Sequence, residues 1–170
     1  METEKSWEGT TRRYYPPLGR ILLSRPVAAP PFTTKSTRLK PSFARGLRYE
    51  KKVCKALSKE YAAFWRSGCW FQYQAERDKR SRYCQVDGLL DAACLVVCEV
   101  KLRHTPEAYF QLFNLYLPVV QAAYPGRDLA LCEVTKWYDS STEFPCAITL
   151  LADLHAARPG DFSVHIRGER

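Results

Sequence analysis

Between residues 43 and 66 the apolar side chains recur three and four positions apart. Leu47, Val53, Cys54, Leu57, Tyr61 and Phe64 fall on one stripe, the spacing of an amphipathic helix. One acidic residue, Glu50, interrupts that stripe, while Lys51, Lys52, Lys55 and Lys59 occupy the other faces. Ser67-Gly68 is read as the end of the helix. The period then shortens. Residues 69–76 and 82–90 are rich in aromatic and β-branched side chains and flank a charged turn at 77–81, the signature of a hairpin. Residues 94–101 add a third strand. Thr105-Pro106-Glu107 marks a new helix, with Thr105 at the N-cap and Pro106 at the first helical position.

That second helix is apolar nearly all round. Its polar line runs through Glu107, Gln111, Asn114 and Gln121, with Pro118 on the same side. After Pro125-Gly126 a fourth strand is expected at 128–137. Short strands at 147–151 and 162–166 follow, with a brief helix near 153–157 between them. The order is helix, three-strand meander, helix, strand and mixed tail. It predicts an α/β (α+β) domain in which helices flank a small mixed sheet. No internal repeat is evident.

Charge divides the chain. Residues 1–48 carry ten Lys or Arg against three Glu, together with six prolines, whereas residues 49–170 carry sixteen basic and fifteen acidic side chains. This predicts a basic, proline-containing, poorly ordered arm over residues 1–41, suited to nucleic-acid phosphates or to docking a protein partner, ahead of a nearly neutral domain over 42–170. The seven cysteines, Cys54, Cys69, Cys84, Cys94, Cys98, Cys132 and Cys146, are odd in number and include no Cys-x-x-Cys pair. Buried reduced thiols in a cytoplasmic, reducing compartment are expected, with neither a zinc site nor a disulfide framework. Cys94 and Cys98 share the strand face opposite Glu99. No secretory leader is read near the N-terminus. The longest apolar run, 109–124, is broken by Gln111, Asn114, Pro118 and Gln121, so no membrane span is expected.

The stretch from Gln85 to Lys101 carries the chemistry. Side chains alternate along a strand, so Glu99 and Lys101 share one face. A loop of three residues, Ala92 to Cys94, would set Asp91 opposite Leu95, and the same register brings Asp87 level with Glu99. Two carboxylates and an ammonium then converge, a costly arrangement unless a divalent cation uses it. Asp87 and Glu99 are candidate Mg²⁺ ligands, with Mn²⁺ expected to substitute, and the Val100 carbonyl is a further candidate. Lys101 is placed to hold an attacking water or to offset charge in a phosphodiester transition state. Glu50 joins them if its helix packs nearby.

These residues resemble the PD-(D/E)xK nuclease superfamily: Glu50 in Gly46-Leu-Arg-Tyr-Glu50, Asp87 in Val86-Asp87-Gly88, and Glu99-Val100-Lys101 at the end of an apolar strand. The resemblance covers about residues 43–137. It implies a restriction-endonuclease-like core and Mg²⁺-dependent hydrolysis of branched or duplex DNA, with a homodimer expected if both strands are cut. Val86 stands where the namesake proline would be. RecB-like members also carry a glutamine and a tyrosine on the following helix; Gln111 and Tyr116 approach that motif, with the tyrosine one residue late.

Other roles are weighed beside these. Arg77, Lys79, Arg80 and Arg82 at the hairpin tip, and Arg103 and Lys136 nearer the cluster, are candidate phosphate contacts. Gln111 is an accessory candidate, with the solvent side of its helix as the alternative reading. Glu99 and Lys101 alone can be read as an exposed ion pair, and Asp91 as turn chemistry. His104, His155 and His165 show no ligand spacing and receive no role. The rival to the enzyme is a catalytically inactive protein of the same fold that binds nucleic acid or a protein assembly through its arm.

Overall fold

The computed structural model describes residues 15–33 and 40–168, so positions 1–14 and 34–39 of the basic arm lie outside the described residues. Seven strands form one mixed sheet: β1 (Ile21–Val27), β2 (Trp65–Ala75), β3 (Asp78–Asp91), β4 (Leu95–Arg103), β5 (Leu129–Trp137), β6 (Thr149–Leu151) and β7 (Phe162–Ile166). Their spatial order is β1-β2-β3-β4-β5-β7-β6. The first four are antiparallel in series, and β5, β7 and β6 continue the sheet in parallel with β4. Helix α1 (Pro41–Tyr61) packs on one side. On the other lie α2 (Pro106–Gln111) and α3 (Leu117–Ala123), joined by one π-helical turn, Leu112–Tyr116. The expected mixed α/β architecture is present.

Helix α1 starts at Pro41, whose missing N–H is an orphan at that position in any helix. Tyr49, Val53, Leu57 and Tyr61, four apart, form its buried line. Leu57 is wholly enclosed, worth about 2–3 kcal/mol in the burial of one leucine side chain. Val53, Leu57 and Tyr61 of the expected stripe are inside; it differs at its ends, where Tyr49 is enclosed while Leu47 and Phe64 are exposed. The helix also ends sooner. Ala62 turns left-handed at φ 48°, a short 3₁₀ turn follows, and Trp65 already begins β2, so Ser67-Gly68 belongs to a strand.

The β2–β3 hairpin closes at Glu76-Arg77, between Ala75 and Asp78, rather than through a five-residue turn at 77–81. Part of the segment expected to be a disordered arm adds β1 to the hairpin's outer edge. The helix predicted after Thr105 begins at Pro106 as expected, but the Thr105 hydroxyl makes no cap bond. No helix among the described residues is long and apolar enough to cross a membrane. All seven cysteines are free thiols, and Cys84, Cys94, Cys98 and Cys132 are buried.

One irregularity positions the site. Near the sheet centre, Trp65 and Leu90 pack on the α1 side; further out, their strand neighbours Phe71, Cys84 and Val86 pack on the α3 side. The ribbon turns over between these levels, at Gly68 (φ +60°), which the flanking pairs Ser67–Gly88 and Cys69–Val86 set level with Asp87. Gly88 lies beneath Trp65: a Cβ there would stand 2.1 Å from the indole ring. Only glycine fits, and this close approach rather than a turn explains the Asp87-Gly88 pair.

Candidate active site at the opening between β3 and β4

The β3–β4 ladder has the register expected from sequence, running from Asp91 opposite Leu95 to Gly88 opposite Cys98. There it stops. Asp87, the next residue, accepts the Val100 backbone N–H on Oδ2 at 2.8 Å, so its carboxylate takes the place of a ladder carbonyl. Its own carbonyl receives a weak bond from the Cys54 thiol of α1, 3.7 Å away. Asp87 thus fills the opening between two separating strands, with α1 on one side and α2 on the other.

Glu99 and Lys101 share the α2 side of β4, as strand alternation requires. Lys101 Nζ lies 2.5 Å from Glu99 Oε1 and donates to Gln111 Oε1 at 3.1 Å. Gln111 Nε2 in turn donates to the Tyr116 hydroxyl at 2.5 Å, and that hydroxyl donates to the Gln85 carbonyl at 2.7 Å. Gln111 is therefore buried and holds the lysine; it does not mark a solvent face. Gln111 and Tyr116 are five residues apart, one too many for neighbours on an α-helix. The π-helical turn supplies the missing residue, with the Leu117 N–H bonding the Leu112 carbonyl five positions back. The two side chains, five apart in sequence, therefore meet in space. The same widening lets the helix pass Pro118, which has no N–H to contribute.

Charge is crowded here. Burial, then the neighbouring carboxylates of Glu99 and Glu50, push Asp87 well above the usual carboxylate range. Burial raises Glu99 too, against the opposing pull of Lys101 and of the neighbouring Asp87 and Tyr116 side chains. Glu50 is raised by burial and then by Glu99. Burial pulls Lys101 down, but Glu99 and Asp87 more than reverse this, leaving the ammonium above its ordinary value. Tyr116 is held neutral by burial and by both carboxylates. Glu99 is 2 % exposed, so the exposed ion pair considered from sequence is not what forms.

Glu99 Oε2 is enclosed with no hydrogen-bond donor. A buried carboxylate oxygen without a donor, beside a second carboxylate that is hard to ionise, is an environment short of positive charge. Among the described residues no three His, Cys, Asp or Glu side chains are gathered tightly enough to hold a metal by themselves. Glu50 feels the other two carboxylates without completing a triad. A Mg²⁺ ion does not need one, since it keeps most of its waters and is commonly bound by one or two carboxylates plus substrate phosphate. The donor set of Asp87 and Glu99 fits that requirement.

Sequence reasoning overlooked a neighbour. Glu133 pairs with Glu99 across the parallel β4–β5 ladder. It is fully buried; burial carries its pKa to about 8, against a bond from the Thr105 N–H. His104 Nδ1 lies 2.6 Å from Glu133 Oε2, and burial lowers the imidazole, so the pair is stable as a neutral acid and imidazole sharing one proton. Phe144 stacks on that ring at 4.2 Å. A signal was present: Leu95-Val-Val-Cys-Glu-Val in β4 is echoed by Leu129-Ala-Leu-Cys-Glu-Val in β5, and the two run side by side in register. The chain does contain a short repeat.

The proposed phosphate contacts divide. Arg80 and Arg82 lie against Asp78, Arg77 packs near Gly19, and Lys79 stays on the same hairpin tip. At ~3.3 Å per residue, Arg80 is ~23 Å along β3 from Asp87, too far for it to touch the same phosphate. Arg103 ends β4, exposed, two residues beyond Lys101. Lys136 lies over the Trp137 ring, 5.0 Å from its centre, on the adjoining end of β5. Comparison with known protein families, curated proteins and solved structures yields no match to this chain.

Proposed function

We propose that the protein is a Mg²⁺-dependent nuclease of PD-(D/E)xK type, built on a restriction-endonuclease-like core and hydrolysing DNA. The observation that supports this best is the meeting of Asp87 and Glu99 in the opening between β3 and β4, with Glu99 Oε2 buried and undonated and Lys101 fixed beside it. Asp87 and Glu99 would hold the cation, with the Val100 carbonyl as a further oxygen donor. When bound, the cation supplies Lewis-acid charge to the phosphoryl group and acidifies water.

The chain's own residues supply the rest. Lys101 Nζ, oriented by Glu99 and Gln111, presents a donor where negative charge grows on the phosphate or where water attacks. Tyr116, tied to Gln85, fixes Gln111 and through it the lysine. Glu50 strengthens the negative field from the α1 side. Arg103 and Lys136 lie at the adjoining strand ends, where phosphates of the same DNA would pass.

The test is cleavage of linear, circular, branched and single-stranded DNA with and without Mg²⁺, using wild type, Asp87→Ala and Lys101→Ala, with circular dichroism to verify folding. Each folded variant is expected to lose Mg²⁺-dependent cleavage, and full activity in either overturns the proposal. The salt bridge on Glu99 favours one rival, a non-catalytic protein of this fold that binds nucleic acid. DNA binding without Mg²⁺ or Mn²⁺ binding would establish it.

A further inference from the structure

The arm meets the candidate site at its first described residue. Tyr15 to Arg20 form a strap that precedes β1 and is pinned at both ends. At the hairpin tip the Arg20 carbonyl accepts the Glu76 N–H at 2.8 Å. At the far end the Tyr15 carbonyl accepts Asn114 Nδ2 at 2.7 Å. Pro16-Pro17 stiffens the path between them, since each ring fixes its own φ. An extended chain from Tyr15 to Ile21 reaches ~20 Å, enough to run from the tip to the helix beside the site.

Asn114 stands in the π-helical turn, three residues beyond Gln111, which holds Lys101. Positions three apart on a helix are neighbours, with ~5–6 Å between their Cβ atoms. The polar line along this helix thus has two tasks: Gln111 fixes the lysine and Asn114 fixes the strap. Tyr15 is thereby brought to the side of the sheet that carries Glu99 and Lys101. Its phenol oxygen is near enough to act on the Lys101 ammonium, after burial, Glu99 and Asp87 in that order.

Two hydrogen-bond donors are left over at this point. The Tyr15 hydroxyl bonds nothing among the described residues; only the carbonyl of that residue is engaged. Lys101 has three N–H donors. Glu99 Oε1 and Gln111 Oε1 take two of them. Glu99 already answers the lysine's charge, so what remains for a substrate is one N–H rather than net charge. A phosphate has several anionic oxygens and can take both donors together, each as a charge-assisted bond.

We propose that Tyr15 is a substrate-binding residue, its hydroxyl and the free N–H of Lys101 donating to one DNA phosphate, and that Asn114 is the positioning residue that keeps it there. The inference takes its ligand from the nuclease reading. It makes the strap a wall of the site.

Tyr15→Phe separates this role from a structural one, because it keeps the ring and the carbonyl and removes a hydroxyl that bonds nothing in the fold. Its melting temperature is expected to match wild type. Its kcat/KM for Mg²⁺-dependent cleavage of a linear duplex is expected to fall about ten- to a hundredfold, the loss of one hydrogen bond to a charged group. Asn114→Ala is expected to lower kcat/KM by itself and to add nothing to Tyr15→Phe, since it acts through the same hydroxyl. Wild-type cleavage by Tyr15→Phe, a lowered melting temperature, or losses that multiply in the double variant overturn the proposal. A second readout involves no cleavage. The full chain labelled with fluorotyrosine is titrated in EDTA with the duplex and, separately, with inorganic phosphate, the Tyr15 resonance being the one absent from Tyr15→Phe. A shift with the duplex supports the contact; a resonance unmoved by the duplex, or moved by inorganic phosphate alone, overturns it. A wild-type protein that cuts no DNA but shifts this resonance refutes the nuclease reading and leaves the contact standing. Cleavage unaltered in Tyr15→Phe refutes the contact and leaves the nuclease reading standing.

Discussion

Replacing Asp87 with asparagine should make the metal-free protein more stable while abolishing cleavage. The substitution keeps an oxygen for the Val100 N–H, so the 2.8 Å bond, worth about 1 kcal/mol net, survives. What it removes is a carboxylate that burial, Glu99 and Glu50 all oppose. Because the folded pKa is raised above the unfolded value near 4, Asp87 favours folding below that value, and the benefit is lost as pH rises through the folded pKa. One proton taken up on folding corresponds to a slope of about 1.4 kcal/mol per pH unit. Urea unfolding in EDTA from pH 5 to 8 should therefore show wild-type stability falling with pH, and Asp87→Asn falling less steeply by up to that amount. Asp87→Ala, which leaves the Val100 N–H unpaired, should gain less. Mg²⁺ should raise the wild-type midpoint at pH 8 and leave the asparagine variant unmoved. A variant less stable than wild type at pH 8 in EDTA, or a pH slope unaltered by the change, would refute the account of a charge-strained opening.

Gly88→Ala drives a methyl into the Trp65 ring, 2.1 Å away, and should lower stability by about 2 kcal/mol or more in urea; a loss under 0.5 kcal/mol would mean the indole moves aside freely. Tyr116→Phe removes the acceptor of Gln111 Nε2 and the donor to the Gln85 carbonyl, costing about 1–3 kcal/mol; it should lower the cleavage rate with little change in DNA affinity, and equal losses in both would contradict an indirect role through Lys101. Glu133→Gln should flatten the fall in stability between pH 5 and 8, since burial places this carboxyl near 8 and the folded protein keeps a proton there that the unfolded chain has released; calorimetric scans with an unchanged pH dependence would show that the His104 pair titrates elsewhere.

How much of this could be read from the residues follows from the range of each interaction. The β3–β4 register came from strand alternation and a three-residue loop, both local, and the structure repeats it from Asp91–Leu95 to Gly88–Cys98. The stripe on α1 was legible through Val53, Leu57 and Tyr61 but wrong at its ends, because Tyr49 and Leu47 are both apolar and only the sheet decides which is enclosed. Strand β1 was missed because its burial is supplied by β2, ~50 residues later, and its own sequence, with Arg25 and Pro26, has little strand character.

The spacing of Gln111 and Tyr116 shows the same limit from the other side. Counted on an ideal helix the two residues diverge, and their spacing alone gives no reason to prefer any other count. Pro118 was the clue: a proline inside an apolar helix must be accommodated, and a π-turn just before it is one way to do so. The turn that relieves the proline also brings the tyrosine hydroxyl onto the glutamine that holds Lys101. Restoring α-helical geometry should then disturb the lysine. Deleting Phe113, an exposed residue inside the turn, together with Pro118→Ala gives the helix a continuous α-register, with the glutamine and tyrosine four apart. Cleavage by that variant is expected to fall while DNA affinity holds, because the hydroxyl no longer stands where the π-turn puts it; retained cleavage would show that the pairing matters only as spacing.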